Sequence, residues 1–308
     1  MKRIIIDTDP GVDDAHAIMM AFAHPQTKVE AITAVAGNVG LERTVANACT
    51  ILDVLEVETP VYAGCARALV VPAEDAAYVH GDDGLGDCGY PSSPRLVEGE
   101  HAALALVRLA SEAPGELTLV AIGPLTNVAV ALKLDPTLPQ KFRQLVVMAG
   151  AIYARGNTPN LPAEFNVFAD PEAAHVVFES WPEFTLCSWE TTVAHSFHDM
   201  AMQKWLSLAT PRAQFFQRIT AKTIEYIARV WGRPILFGAD ALAMAVAMEP
   251  AIVTKAEKHH VMVELHGQHT RGQTVVDWRD RSGRPANANI VLEVDHERFL
   301  ALMELGLQ

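Results

Sequence analysis

The sequence predicts an α/β protein: an open, mostly parallel sheet with helices on both faces and a helical, antiparallel elaboration at the C-terminal end. Three observations predict it. Short β-rich apolar runs alternate with helical patterns through the first two thirds of the chain. Runs such as IIID, TLVAIG and QLVVMAG are continuously apolar, as strands buried on both faces are. The last third loses that rhythm and reads as long helices followed by short strands.

Taken in order, the first strand covers residues 3–7, and Pro10 and Gly11 make the turn into a helix over 13–23. Strands follow at 29–36, 117–122, 144–149 and 184–188, and helices at 42–55, 101–113, 126–134 and 171–179. This order implies βαβ units and a Rossmann-like sheet. Residues 195–231 read as mostly helical, amphipathic from Pro211 onward, with a second helix over 238–248. Strands at 260–267, 272–278 and 289–293 precede a terminal helix. Loops at 80–95 and 153–162 are rich in Gly, Pro, Asn or Asp. Long loops at the carboxyl ends of parallel strands are where such sheets carry their sites. With no repeat, low-complexity tract or linker, the reading is a single domain over 1–308.

A net charge of -13, with no cluster of Lys and Arg to override it, argues against nucleic acid or an anionic membrane as partner. No apolar run reaches the ~18 residues of a membrane span. The four cysteines are scattered without a CxxC pair, which fits a reducing, cytoplasmic location.

The chemistry begins at DTDPGVDD, where Asp7, Asp9, Asp13 and Asp14 crowd into one strand-to-helix turn. Capping and the helix dipole favour a carboxylate at a helix start. Four carboxylates exceed what capping needs, and a hard divalent cation with oxygen ligands would offset their repulsion. An EF-hand does not fit, because position 12 counted from Asp7 is Ile18 rather than Glu. A dehalogenase-type phosphatase also places D-x-D after a first strand, but no convincing later acidic pair accompanies it.

DTDPGVDDAHAIMMA resembles the N-terminal signature of the inosine–uridine-preferring nucleoside hydrolases. The likeness continues in family order through AVAGNVG (34–40), VHGDDGLGD (79–87), IGPLTNVA (122–129), VVMAGA (146–151) and AEFNVFADPEAA (163–174). The resemblance implies Ca²⁺-dependent hydrolysis of the N-glycosidic bond of a ribonucleoside, giving ribose and free base. It implies Asp9, Asp14, Asp240 and the main-chain carbonyl of Ile122 as Ca²⁺ ligands, with Asp7 orienting the loop. Asp13 is then the general base for a metal-bound water, with an oxocarbenium-like transition state. Asn38, Asn157, Glu164 and Asn166 are implied as the ribose grip, with Met148 packed against the sugar. His80, Trp231 and Phe237 are candidate contacts to the base. The partner is a small-molecule ribonucleoside, and a homodimer or homotetramer is the usual assembly.

The pattern breaks at one place. Many family members carry His immediately before the last aspartate ligand, where it is implicated in protonating the leaving base, and here that position is Ala239. His80, His195, His198 and Tyr226 are alternative donors, and Trp189, Phe237 or Trp231 could stack on the base. The rival readings are a nucleoside-binding or regulatory protein with weak hydrolysis, or a hydrolase of another N-ribosyl compound. His16, His259 and His260 read as helix-surface and strand-edge residues.

Overall fold

A computed structural model describes residues 1–72 and 75–308, and the main chain alone at position 199. The chain begins with β1 (Lys2–Thr8), α1 (Val12–Ala23), β2 (Thr27–Ala34), α2 (Leu41–Leu55) and β3 (Val61–Ala63). It continues through α3 (Ala77–His80), α4 (Ala102–Glu112), β4 (Leu117–Ala121), α5 (Thr126–Leu134), α6 (Leu138–Lys141) and β5 (Gln144–Met148). Then come α7 (Phe165–Ala169), α8 (Pro171–Ser180), β6 (Phe184–Cys187), α9 (Trp189–Ala194), α10 (Asp199–Leu206), α11 (Pro211–Trp231) and α12 (Ala239–Met248). A 3₁₀ turn, β7 (Val253–His259), β8 (Val261–Val263), β9 (Thr274–Val276), β10 (Ala288–Val294) and α13 (His296–Leu307) complete it.

Eight strands form the main sheet in the order β3-β2-β1-β4-β5-β6-β10-β7. All neighbours are parallel except β10 and β7. Alternate side chains of β1 serve opposite faces. Ile4 and Ile6 join a core covered by α1, α2, α11, α12 and α13, while Ile5 joins one covered by α4, α5 and α8. Burial on both faces explains why this strand reads as an unbroken apolar run.

The order reverses between β1 and β4. Successive crossovers from β1 build toward β3, and those from β4 build toward β6. Such a switch point opens a crevice at the carboxyl ends of the two central strands. Asp9 follows β1 and Ile122 follows β4, so both predicted ligands flank that crevice.

The C-terminal part is more closely knit than a separate elaboration. β10 lies parallel beside β6, and β7 closes the edge antiparallel to it. Among the described residues only β8 and β9 stand apart, as a two-stranded antiparallel ribbon. β7 and the three-residue β3 were not expected from the sequence. Between its end residues β7 is exposed, so it carries no apolar alternation to read. His16 is corrected: it is buried inside α1, not on a helix surface, and His260 is buried as well.

Candidate active site

The strand-to-helix turn after β1 places the four aspartates at different depths. Asp7, still in the strand, accepts from Thr33 Oγ1 at 2.6 Å and Asn127 Nδ2 at 2.9 Å. Asp9 Oδ2 accepts from the Asn38 main-chain N–H at 2.7 Å, while its Oδ1 is buried with no partner. Asp14 Oδ2 accepts from Gly11 N–H at 2.9 Å and Asn38 Nδ2 at 3.0 Å, and Thr8 Oγ1 donates to its other oxygen. Asp13 is the accessible member, with a side chain 27% exposed against 3% or less for Asp7, Asp9, Asp14 and Asp240. Asp240, in the first turn of α12, comes from far along the chain. Carboxylate oxygens of Asp13, Asp14 and Asp240 lie within 4.8 Å of one another.

The loop is packed tightly enough to require glycine. A Cβ on Gly11 would stand 2.6 Å from His80 Nδ1, and one on Gly37 would stand 2.1 Å from Asp9 Oδ2. Asn47 ties the turn down, its Nδ2 donating to the carbonyls of Pro10 and Asp83 at 2.9 Å each.

Electrostatics here are unfavourable without a counter-charge. Burial raises the carboxyl of Asp9 well above its usual range, and the charges of Asp14 and Asp13 raise it further. Burial does the same to Asp240, with Asp13, Asp14 and Asp9 adding to it. Asp13 is pushed up to about 6 and Asp7 to about 7, both chiefly by burial. Among the described residues no lysine or arginine lines the cavity. An orphaned buried carboxylate oxygen beside three converging acids is a donor set that fits a hard divalent cation.

Asp13 and Asp240 line the floor of a cavity of about 310 Å³, with Asp14 directly beside them. One wall comes from β5 and α7. Asn166 Nδ2 donates to the carbonyls of Ile122 and Met148, at 3.1 Å each. A carbonyl has two lone pairs, so the Ile122 oxygen retains one. Glu164 caps α7 by accepting from Asn166 and Val167 N–H, and it also accepts from Gly150 N–H. Burial pushes its carboxyl up to about 7. Asn157 lines the same wall, in a loop whose main-chain N–H groups at 152, 153 and 155 are held by Glu190. Asn38 also lines the cavity, but its amide nitrogen is committed to Asp9 and Asp14.

The opposite end is apolar and comes from the C-terminal helices. α11 stops at Gly232, whose φ of 74° is a left-handed helix cap. The chain then returns past Phe237, whose ring lies 5.1 Å from those of both Trp189 and Trp231. Tyr226 meets Tyr78 edge-on at 5.5 Å, and Thr223 Oγ1 donates to the Val79 carbonyl at 2.9 Å, joining α11 to the α3 segment.

The whole chain can be set beside known proteins. Residues 4–301 match the family model described as inosine-uridine preferring nucleoside hydrolase. An inosine-uridine preferring nucleoside hydrolase of Leishmania major is 35% identical, with 98% of this chain and 96% of that one covered. A non-specific ribonucleoside hydrolase of Salmonella enteritidis is 37% identical over 96% of this chain and 94% of its own. A solved inosine-guanosine nucleoside hydrolase superposes with a TM-score of 0.92 at 35% identity, covering 99% of this chain and 98% of that one. The chain belongs to the inosine-uridine preferring nucleoside hydrolase family. It is an enzyme of that family, which acts on ribonucleosides.

Within this hydrolase the histidines sort clearly. His80, at the end of α3, lines the cavity, with Nδ1 accepting from Val12 N–H at 3.1 Å and lying 3.9 Å from Asp13. Burial pulls it down to about 4, so it is neutral and carries its hydrogen on Nε2. His195 is spent elsewhere, bonded to Thr191 O and Val294 N, and neither it nor His198 lines the cavity. Tyr226, Trp189, Trp231 and Phe237 do line it, as does Ala239.

Sequence reasoning passed over several residues that build the site. Thr8 and Asn127 lay within the recognised motifs but carry no chemistry of their own. Asn47 sits in a helix that gave no site signal. His16 lines the cavity and was dismissed, because a lone histidine on a helix reads as a surface residue until packing is known.

Proposed function

We propose that the chain is a Ca²⁺-dependent ribonucleoside hydrolase releasing ribose and free base. The observation that carries this reading is the cluster of buried, unneutralised carboxylates at the sheet's switch point, with one oxygen of Asp9 lacking any partner. Asp9, Asp14, Asp240 and the Ile122 carbonyl hold the cation. When bound, it supplies an anchor for ribose hydroxyls and lowers the pKa of a water.

Asp13 is the general base. It is the accessible carboxylate of the cluster and faces the cavity beside His80. It takes the proton of the water that attacks the anomeric carbon. Glu164, Asn166 and Asn157 hold the ribose hydroxyls and present oxygen toward a ring that gains positive charge in the transition state. Asn38 holds the aspartate loop, and Met148 forms the apolar backing of the sugar. Phe237, Trp231 and Trp189 give an aromatic surface for the base. His80 offers an Nε2 hydrogen, while Ala239 offers none. We place the protein in the cytosol as one unit over 1–308, working as a homodimer or homotetramer.

A panel of ribonucleosides, assayed for free base and ribose with added Ca²⁺ and with chelator, tests the class. Cation-dependent turnover of at least one nucleoside supports it. Ala239 also favours a second reading, a nucleoside-binding protein lacking leaving-group activation. No turnover in the wild type with turnover gained in Ala239→His would select that reading instead.

A further inference from the structure

The cavity lining contains a polar side chain on α1, His16, that the reaction as described does not use. His16 lies three residues after Asp13 on α1, and α1 packs against α12, which carries Ala239. Both residues line the cavity. His16 Nε2 is 2.8 Å from the Met303 carbonyl oxygen. A carbonyl can only accept, so Nε2 carries the hydrogen and Nδ1 is a lone pair. The ring is fixed in this pose, tilted against Phe216 at 4.5 Å and edge-on to Trp205 at 6.2 Å.

Among the described residues Nδ1 has no hydrogen-bond partner. The residue is only 2% exposed and lines the cavity. Phe216 and Met303, which touch the ring, offer no side-chain hydrogen to it. A buried acceptor without a partner discriminates strongly, because a ligand without a matching donor leaves it unsatisfied.

We infer that His16 reads the nucleobase, its fixed Nδ1 acceptor selecting bases with a ring N–H over bases with a lone pair at the same ring atom. The favoured class is 6-oxopurine and uracil nucleosides, with N1–H and N3–H respectively. Adenine and cytosine nucleosides, with bare N1 and N3, are disfavoured. This role differs from that of a leaving-group acid. The hydrogen of the ring is committed to Met303, so His16 accepts from the base rather than protonating it. The inference rests on the hydrolase reading above.

The test compares kcat and KM for inosine, adenosine, uridine and cytidine, using Ca²⁺-loaded wild type, His16→Phe and His16→Gln. The wild type should favour inosine over adenosine and uridine over cytidine by about tenfold or more, the value of one well-placed hydrogen bond. His16→Phe keeps an aromatic ring without the acceptor and should erase most of that preference, mainly through KM. His16→Gln restores an acceptor oxygen and should recover part of it. A wild-type-like circular-dichroism spectrum and cooperative thermal unfolding show that a variant has folded. A measurement on the wild type alone needs no variant. 1-Deazaadenosine, with C–H in place of the N1 lone pair, should show a lower KM than adenosine. An unchanged preference in a folded His16→Phe, or a 1-deazaadenosine KM no lower than adenosine's, overturns the inference. Turnover of none of the four nucleosides by the wild type overturns the hydrolase reading and this inference together.

Discussion

The floor of the cavity and its aromatic end come from different parts of the chain and are held in different ways. The floor is built from the carboxyl ends of β1 and β4, and every aspartate in it except Asp13 is enclosed. Asn38, Asn127, Thr8 and Thr33 fix those carboxylates one by one. The aromatic end is built from α9, α11 and the return past Gly232. Trp231 there is 45% exposed, and its rings are held by contact with one another rather than by hydrogen bonds. The floor tolerates little, because each buried charge depends on its neighbours. The far end can change residue by residue; on the proposed reading the sugar chemistry belongs to the floor, and the aromatic end is a surface for the base.

The largest expected effect is in the floor. Asp240→Asn removes a carboxylate from the cation site while keeping its shape. Calcium affinity, read by calorimetric titration, should fall by more than about a hundredfold, and hydrolysis with it. Calcium affinity within a few-fold of wild type would break the assignment of Asp240 as a ligand.

The second effect separates the floor by its charge. Burial raises Asp7 to about 7, Asp13 to about 6 and Glu164 to about 7 in the cation-free protein. A carboxyl raised in the folded state binds its proton more tightly there than in the unfolded chain. Stability therefore falls as pH rises from the ordinary carboxylate range near 4 toward 7. Thermal unfolding with chelator should show Tm dropping across that window, at about 1–2 °C per kcal/mol lost. Added Ca²⁺ should flatten the slope at its upper end. The same slope with and without Ca²⁺ would contradict a cation neutralising these groups.

The smallest effect belongs to the aromatic end. Phe237→Leu loosens Trp189 and Trp231 together. KM for all nucleosides should rise by about three- to tenfold with kcat nearly unchanged, matching the ~0.5–1.5 kcal/mol of an aromatic pair. A loss of kcat alone would mean that Phe237 serves the chemistry rather than the binding.

Legibility in the sequence follows the same division. The strand ends at Ile122 and Met148 and the AEFN cap are legible only through the resemblance to the family, while the acidic β1 turn states its environment in its residue types. The sheet core was readable for the same reason, since strands buried on both faces are apolar throughout. β7 was not, because an exposed edge strand reading VTKAEKH has no buried face to mark it. The burial of His16 and the exclusion of His195 both depend on how α1, α9, α12 and α13 meet across long sequence separations. No local pattern encodes that.

The most direct test concerns Asp13, whose carboxylate lies in the same cluster as Asp14 and Asp240 but is the accessible one. Asp13→Ala should be measured for both calcium binding and single-turnover hydrolysis. The account predicts that calcium is still bound while hydrolysis falls by about 10²–10⁴-fold, the range of a lost general base. Near-normal kcat would contradict Asp13 as the base, and loss of calcium would make it a ligand instead.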